Sequence, residues 1–270
     1  MTLYNDDMSS LVQHKFGAAA ADYAASSVHA KGASLARLVE LVDPKPSWRV
    51  LDVATGAGHT ALAFAPRVAK VIASDITDQM LVEAKKLAAE RRLGNFRTAR
   101  AKAEDLPFPD MSFDLVTCRL AAHHFKKPRA FVAEAHRVLM PNGVLAVVDN
   151  ISPDREILPA LDAAEASKLS SAYNAFEKLR DPSHGRCLGL AEWTALLDEQ
   201  GFTVVHKEHM DQDIEFDPWA ARMRCDAATV ARLKTLLGAE PLRSFLRSRE
   251  SDEGLVFTLQ EAIVVARKSA

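Results

Sequence analysis

Arg49-Val50-Leu51-Asp52-Val53-Ala54-Thr55-Gly56-Ala57-Gly58-His59-Thr60 is the stretch on which the reading of the chain turns. Val50, Leu51 and Val53 form a short apolar run of the kind that makes a buried strand, and Gly56 and Gly58 mark its exit before an alanine-rich helical pattern begins. The expectation is a strand, a tight turn and a helix N-terminus. Glycines in such a turn permit unusual backbone angles and let a ligand lie against bare amides, while the helix start offers its N–H groups to a polar or anionic group.

Working outward, Gly56-x-Gly58-x-x-Ala61 satisfies the loose form of the dinucleotide fingerprint, and Asp75 follows at the spacing of a ribose-binding acid. The same glycines suit any strand-to-helix turn in a parallel sheet, so the motif alone leaves the ligand open. Downstream, strand and helix patterns alternate in the βαβ manner. Strands are expected at 50–53, 71–74, 96–100, 113–118 and 144–148, and helices at 60–69, 79–93 and 128–139. Pro141-Asn142-Gly143 reads as the turn into the strand that ends at Asp149.

Upstream, residues 1–46 read as a helical leader, two helical pieces over 10–40 with Phe16 and Tyr23 among many alanines, stopped by Pro44 and Pro46. It could fold over the glycine turn as one wall of a pocket. After the core at 49–150 comes a cap insertion at 151–189, with a long helix over 157–179 and an irregular run carrying Arg180, Asp181 and His184. A helix over 190–200 ends at Gly201, and a strand beginning at Phe202 runs toward Met210. A second helical insertion spans 211–254, with helices near Pro218, at 227–237 and at 241–249, before a last strand at 255–266. With no internal repeat or long linker, 1–270 reads as a single domain.

The 270 residues are 48% apolar and 26% charged with a formal net charge of -2, an ordinary globular balance. Nucleic acid is not the expected partner, because phosphate binding draws on a concentrated basic surface and Arg91-Arg92 and Lys126-Lys127 are too short to make one. Cys118, Cys187 and Cys225 are few, odd in number and scattered, which suggests neither a disulfide framework nor a metal site. No basic segment followed by a long apolar stretch opens the chain, so the expectation is a cytoplasmic protein without stable membrane insertion. Whether it is a monomer or a homodimer is left open. His206 and His209 lack a cysteine-histidine set, and neither a Gly-x-Ser-x-Gly turn nor a P-loop lysine is present, so no metal, serine hydrolase or NTPase chemistry is expected.

Asp52-Val53-Ala54-Thr55-Gly56-Ala57-Gly58, Asp75, Ala103-Glu104-Asp105-Leu106-Pro107-Phe108 and Phe113-Asp114-Leu115-Val116 together resemble the consecutive signatures of class I S-adenosylmethionine-dependent methyltransferases. The likeness is to the type 11 group that includes ubiquinone and menaquinone biosynthesis enzymes. The leader and the run Leu179-Arg180-Asp181-Pro182-Ser183-His184 resemble a poorly characterised bacterial branch of it. The resemblance implies an α/β, Rossmann-like seven-stranded mixed sheet in the order 3-2-1-4-5-7-6, sandwiched by helices, with a final antiparallel hairpin. It implies S-adenosyl-L-methionine as cofactor, S-adenosyl-L-homocysteine as product and a small-molecule acceptor, a quinone or phenol methylated on carbon being the favoured case. O- or N-methylation of another metabolite, a nicotinamide oxidoreductase and a non-catalytic cofactor-binding module are the alternatives. This sequence departs from the family at Ala54, which stands at its first glycine, and at Lys102, where an aspartate is frequent.

On this resemblance the turn from Ala54 through Thr55 and Gly56 to Gly58 receives the methionine part, with Asp52 orienting the turn or the ammonium group. Asp75 accepts from the ribose hydroxyls, or else caps the helix that starts near Gln79. Ile76 lies on one adenine face, Ala103 and Glu104 approach its edge, and Glu104 either meets the amino group or faces water. Arg119 and Leu120 lie beside the cofactor. His123, His124 and Asp149 are the candidate catalytic residues, since histidine takes and gives protons near neutral pH and Asp149 ends a strand that opens into the pocket; each histidine could equally be a capping or packing residue. His14, Phe16, Tyr23 and His29 from the leader, with Arg180 and His184 from the cap, are candidates for the acceptor pocket, Arg180 being alternatively a salt-bridge partner of Asp181 or Glu177.

Overall fold

A computed structural model describes residues 7–25, 32–252 and 254–269. Its frame is a mixed sheet built from β1 (Arg49–Val53), β2 (Lys70–Asp75), β3 (Phe96–Arg100), β4 (Phe113–Arg119), β5 (Leu139–Asn150), β6 (Phe202–Glu215), the short β7 (Arg249–Ser251) and β8 (Gly254–Lys268). The order is β3-β2-β1-β4-β5-β8-β6, with β1 to β5 parallel and β8 antiparallel to both neighbours. That is the expected 3-2-1-4-5-7-6 with one addition: β7 pairs with the start of β8, so the sheet of the described residues has eight strands rather than seven.

Strand residues alternate between two cores. Leu51, Val116, Leu145, Val147 and Val264 face one, and Val50, Leu115, Val144, Val148 and Ile263 face the other, as a pleat buried on both sides requires. The first is closed by α5 (Pro128–Val138) and α7 (Leu190–Glu199), which contribute Phe131, Val132, Trp193 and Leu197. The second is closed by α2 (Ala33–Val42), α3 (His59–Phe64) and α4 (Asp78–Glu90) through Leu38, Leu62, Phe64 and Ala84. The leader's first helix, α1 (Asp7–Ala25), lies against α4, with Gly17 close to the Gln79 side chain.

Several boundaries differ from the sequence expectation. The Pro141-Asn142-Gly143 segment is an irregularity inside β5 rather than a turn before it: Asn142 has φ 63° and the β4 register jumps from Phe113↔Leu139 to Leu115↔Val144. The cap helix α6 (Ala163–Arg180) starts later than residue 157 because Asp162 and Glu165 form a capping box there. β6 runs on to Glu215, so the second helical stretch begins at Phe216 rather than 211, with α8 (Phe216–Arg222), α9 (Ala227–Leu237) and α10 (Leu242–Phe245). These helices and α6 share a third core around Tyr173, Phe176, Trp219, Leu233 and Phe257. Strands β6 and β8 pair from residues 202 to 215, whereas β5 meets β8 only over 261–267, so the outer half of β6 and β8 forms a ribbon, joined at its tip by the short β7, beneath that third core.

Candidate active site

The strand order reverses between β1 and β4, and a cleft opens over the carboxyl ends of β1, β2 and β4, the place where open α/β sheets take ligands. Its walls come from the turn 54–57, from 75–77, from 101–104, from 119–121 and, on the leader side, from Ser9, Val12 and Phe16.

The turn is held from below by Asp52, which is 1% exposed. One carboxylate oxygen accepts from Thr117 Oγ1 at 2.7 Å; the other accepts from Thr55 Oγ1 and from the Ala61 amide at 3.2 Å. Both oxygens are thus committed within the protein, which places Asp52 under the turn rather than among the cleft residues. Burial pushes its carboxyl up to about 6 against the opposing pull of Thr55 and Thr117. An acid whose folded pKa exceeds its unfolded value stabilises the fold while protonated, and that contribution drains away as pH rises from about 4 to about 6. Thermal unfolding over that range should therefore show a shallower loss of stability for Asp52→Asn than for the wild type, whatever the variant's absolute stability.

Ala54 adopts φ 52°, in the left-handed region where a Cβ costs about 1 kcal/mol. The departure from the family glycine is therefore carried as backbone strain. Ala54→Gly should raise stability by about 0.5–1 kcal/mol in denaturant unfolding, the relief being partly offset by the greater freedom of glycine in the unfolded chain. Gly56 has φ 53° and an added Cβ would meet nothing within 4 Å, so its bare backbone faces open space. Gly58 has φ 89° and is the N-cap of α3.

Beside the turn, Asp75 is 8% exposed and accepts from the Gly56 amide at 2.9 Å and the Thr77 amide at 2.8 Å. It ties β2 to the glycine turn and orders the approach to α4, whose N-cap is Thr77 and not Asp75 itself. Burial raises its pKa. Ile76, Ala103 and Glu104 line the same end. Glu104 Oε1 accepts from the Lys126 amide at 3.1 Å, fixing the loop after the histidines, and Lys102 stands exposed on the cleft rim.

Arg119 and Leu120 line the opposite end, Leu120 with φ 54°. Arg119 Nε donates to Thr60 Oγ1 at 3.2 Å; burial holds the guanidinium below its ordinary range while the charges of Glu261 and Asp52 act upward. Glu261 is a buried carboxyl on β8 that sequence reading missed, although an acid inside the otherwise apolar end of the last strand was the available signal.

The two histidines sit on one turn of 3₁₀ helix, Ala122–His124, and have separate partners. His123 gives its amide to Asp149 Oδ2 at 2.8 Å and pairs through Nδ1 with Asp149 Oδ1 at 2.6 Å. Burial pulls this imidazole down, but the Asp149 charge and hydrogen bond outweigh it and leave the pKa raised. His124 reaches the cleft wall, with the Phe16 ring edge-on at 5.0 Å, and burial followed by the neighbouring His123 charge depresses its pKa to about 4.

The remaining pocket candidates are not brought together. His14 is exposed on α1 and is absent from the cleft wall. Arg180 faces the second insertion: Nε donates to the Trp219 carbonyl at 3.1 Å and the guanidinium lies 4.4 Å over the Trp219 ring, instead of pairing with Asp181 or Glu177. His184 is buried behind His123, ring centroids 5.5 Å apart, and bonds to Asn174 Oδ1. The Tyr23 side chain and all of His29 lie outside the described residues. Among the described residues no group of histidine, cysteine and acidic side chains has metal-binding geometry.

Comparison with known proteins fits this site. A family profile described as a methyltransferase domain matches residues 51–147. The chain is 37% identical over 200 residues to the uncharacterized methyltransferase YcgJ of Bacillus subtilis strain 168, covering 74% of this chain and 75% of that one. The chain belongs to the class I S-adenosylmethionine-dependent methyltransferases. The solved structure of YcgJ superimposes with a TM-score of 0.77 at 32% identity, over 88% of this methyltransferase and 98% of YcgJ. The uncharacterized protein YafE of Escherichia coli K12 is 32% identical over 203 residues, 75% of this chain and 88% of its own. Similarity to the ubiquinone/menaquinone biosynthesis C-methyltransferase UbiE of Teredinibacter turnerae is 37% over 124 residues, 44% of this chain and 50% of that protein. This methyltransferase therefore uses S-adenosylmethionine and acts on a small molecule, and the nicotinamide alternative falls away. The residues present suit that cofactor: open space over Gly56 and a carboxylate facing it from Asp75. Among the described residues no helix is long and apolar enough to cross a membrane.

Proposed function

We propose that this methyltransferase places a methyl group on a small, partly apolar acceptor of phenolic or hydroxyquinone type, with ring carbon the favoured receiving atom. The observation that supports it most is the cleft itself, in which the open Gly56 backbone and the Asp75 carboxylate sit at one end and the histidine turn with Phe16 at the other. When bound, S-adenosylmethionine supplies a methyl group made electrophilic by its positive sulfur, so the protein's task is chiefly alignment and exclusion of water.

In this reading Ala54, Thr55, Gly56 and Gly58 shape the seat for the methionine part, with Asp52 bracing that seat from below. Asp75 takes the ribose hydroxyls on its remaining lone pairs, Ile76 covers an adenine face, and Ala103 and Glu104 border the adenine edge. Arg119 and Leu120 flank the donor, and Phe16 closes the leader side. The His123–Asp149 pair, neutral as a whole, braces the turn that brings His124 to the acceptor end. Cytoplasmic residence accords with three unpaired cysteines.

Calorimetric titration with S-adenosylmethionine, S-adenosylhomocysteine and NAD tests the donor site; binding of NAD alone would sink the reading. Transfer of labelled methyl to a panel of phenols, hydroxyquinones and amines, with the product bond assigned by NMR, then separates carbon from oxygen and nitrogen methylation. Absence of transfer despite donor binding would point to a binding module. Asp149→Asn should lower turnover about tenfold by loosening the turn that carries His124, with donor affinity within twofold of wild type.

A further inference from the structure

We infer that His124 and Asp181 form an acid–base pair at the acceptor end of the cleft, and that the acceptor presents a hydroxyl, a phenol or an enol, whose proton passes to Nε2 of His124 as the methyl group is received and the hydroxyl becomes strongly acidic. The inference rests on the methyl-transfer reading above and supplies its proton acceptor. Of the two adjacent histidines only His124 lines the cleft, whereas His123 is tied by both its amide and Nδ1 to Asp149.

Hydrogen-bond chemistry decides which nitrogen of His124 is available. Nδ1 lies 3.0 Å from the Ser183 carbonyl oxygen, which can only accept, so Nδ1 carries the hydrogen and Nε2 keeps the lone pair. The Ser183 hydroxyl does not compete, since it donates to Asp181 Oδ1 at 2.6 Å. The same Asp181 oxygen accepts from the Ser183 amide at 2.9 Å, which leaves Oδ2 to stand 3.9 Å from His124 Nε2. Asp181 is 4% exposed. A buried carboxylate is thus held toward the nitrogen that gains a proton.

The cap insertion is fastened to this turn by more than one bond. The Gly185 and Arg186 amides donate to the His123 carbonyl at 2.8 and 3.0 Å, and a Cβ at Gly185 would lie 2.9 Å from that oxygen. The step balances simply. The acceptor O–H bond breaks, its proton forms the Nε2–H bond, and the electron pair stays on the acceptor, available to the methyl carbon. Asp181 faces the resulting imidazolium. The other groups around His124 are His123 on the same turn, Asp149 from β5, and Ser183 and His184 from the insertion, with Glu177, Lys178 and Arg180 of α6 behind them. The charge on His123 opposes a second proton, and that on Asp181 supports it.

The test is NMR of ¹⁵N-histidine-labelled full-length protein, titrated with and without S-adenosylhomocysteine. In the wild type, the His124 signal should show a hydrogen-bearing Nδ1 and a titrating Nε2. Asp181→Asn should move the His124 midpoint down by about one pH unit, and Asp181→Glu should restore at least half of that. Where Asp181→Asn does not fold by circular dichroism, Asp181→Ser, which likewise removes the charge, should move the midpoint in the same direction. With a phenol that accepts labelled methyl in the panel above, turnover should fall at least about tenfold in His124→Asn while S-adenosylmethionine affinity is unchanged. A hydrogen on Nε2 with Nδ1 titrating, an unmoved His124 midpoint in the folded variants, or unchanged turnover in His124→Asn would each overturn the inference. Failure of the donor reading is seen separately as absent binding of S-adenosylmethionine, which leaves the histidine titration readable.

Discussion

Gly58→Ala should lower the stability of the fold by about 2–4 kcal/mol, the sum of a left-handed backbone penalty and overpacking of a closed contact. At φ 89° an added Cβ would lie 2.9 Å from the Ala84 Cβ, so α4 would have to give way at the point where the turn is pressed against it, while the Phe96 ring at 3.5 Å would be in ordinary contact. A protein of this size loses about 2–4 °C of melting temperature per kcal/mol, so a drop of roughly 4–16 °C is expected in calorimetry. Gly56→Ala provides the contrast, since it shares the positive φ but meets no atom, and should cost only about 1 kcal/mol while obstructing the cleft. Equal stability of the two variants would show that the contact with Ala84 is not what fixes glycine at 58.

Asp75→Ala should weaken S-adenosylmethionine binding by about 1–3 kcal/mol, roughly 5–150-fold in the calorimetric dissociation constant, if charge-assisted bonds to the ribose are lost. The same substitution removes the acceptor for the Gly56 and Thr77 amides, so part of any loss can reflect a loosened turn rather than a missing ligand contact. Asp75→Asn separates the two. It keeps an oxygen for one amide and the side-chain shape but removes the charge, and it should retain most of the folding stability while still binding the donor more weakly. Unchanged affinity in both variants would remove Asp75 from the donor site.

The cofactor half of the molecule was legible because its signals are local. The apolar run at Val50, Leu51 and Val53, the glycines and Asp75 lie within 30 residues of one another and their patterns are dictated by backbone geometry. The boundaries that moved had equally local causes. Strand β6 looked finished near Met210 because Asp211, Gln212, Asp213 and Glu215 are polar, but an edge strand with one face in solvent needs only the alternate Ile214 inside. The start of α6 was signalled by Asp162 and Glu165, a capping pair that outweighs the apolar residues before it. What the sequence could not reveal was the division of labour between His123 and His124. Their partners, Asp149 and Ser183, stand 26 and 59 residues away, and only the folded chain brings them within bonding distance.

The overhang of β6 and β8 past the end of β5 has a bearing on how such a protein diversifies. Because Tyr173, Trp219, Leu233 and Phe257 pack among themselves above that ribbon, the roof has its own interior and can be rewritten, grafted from a relative or enlarged while the donor's seat stays untouched. Chimeras joined at the ribbon are the natural place to exchange one acceptor preference for another.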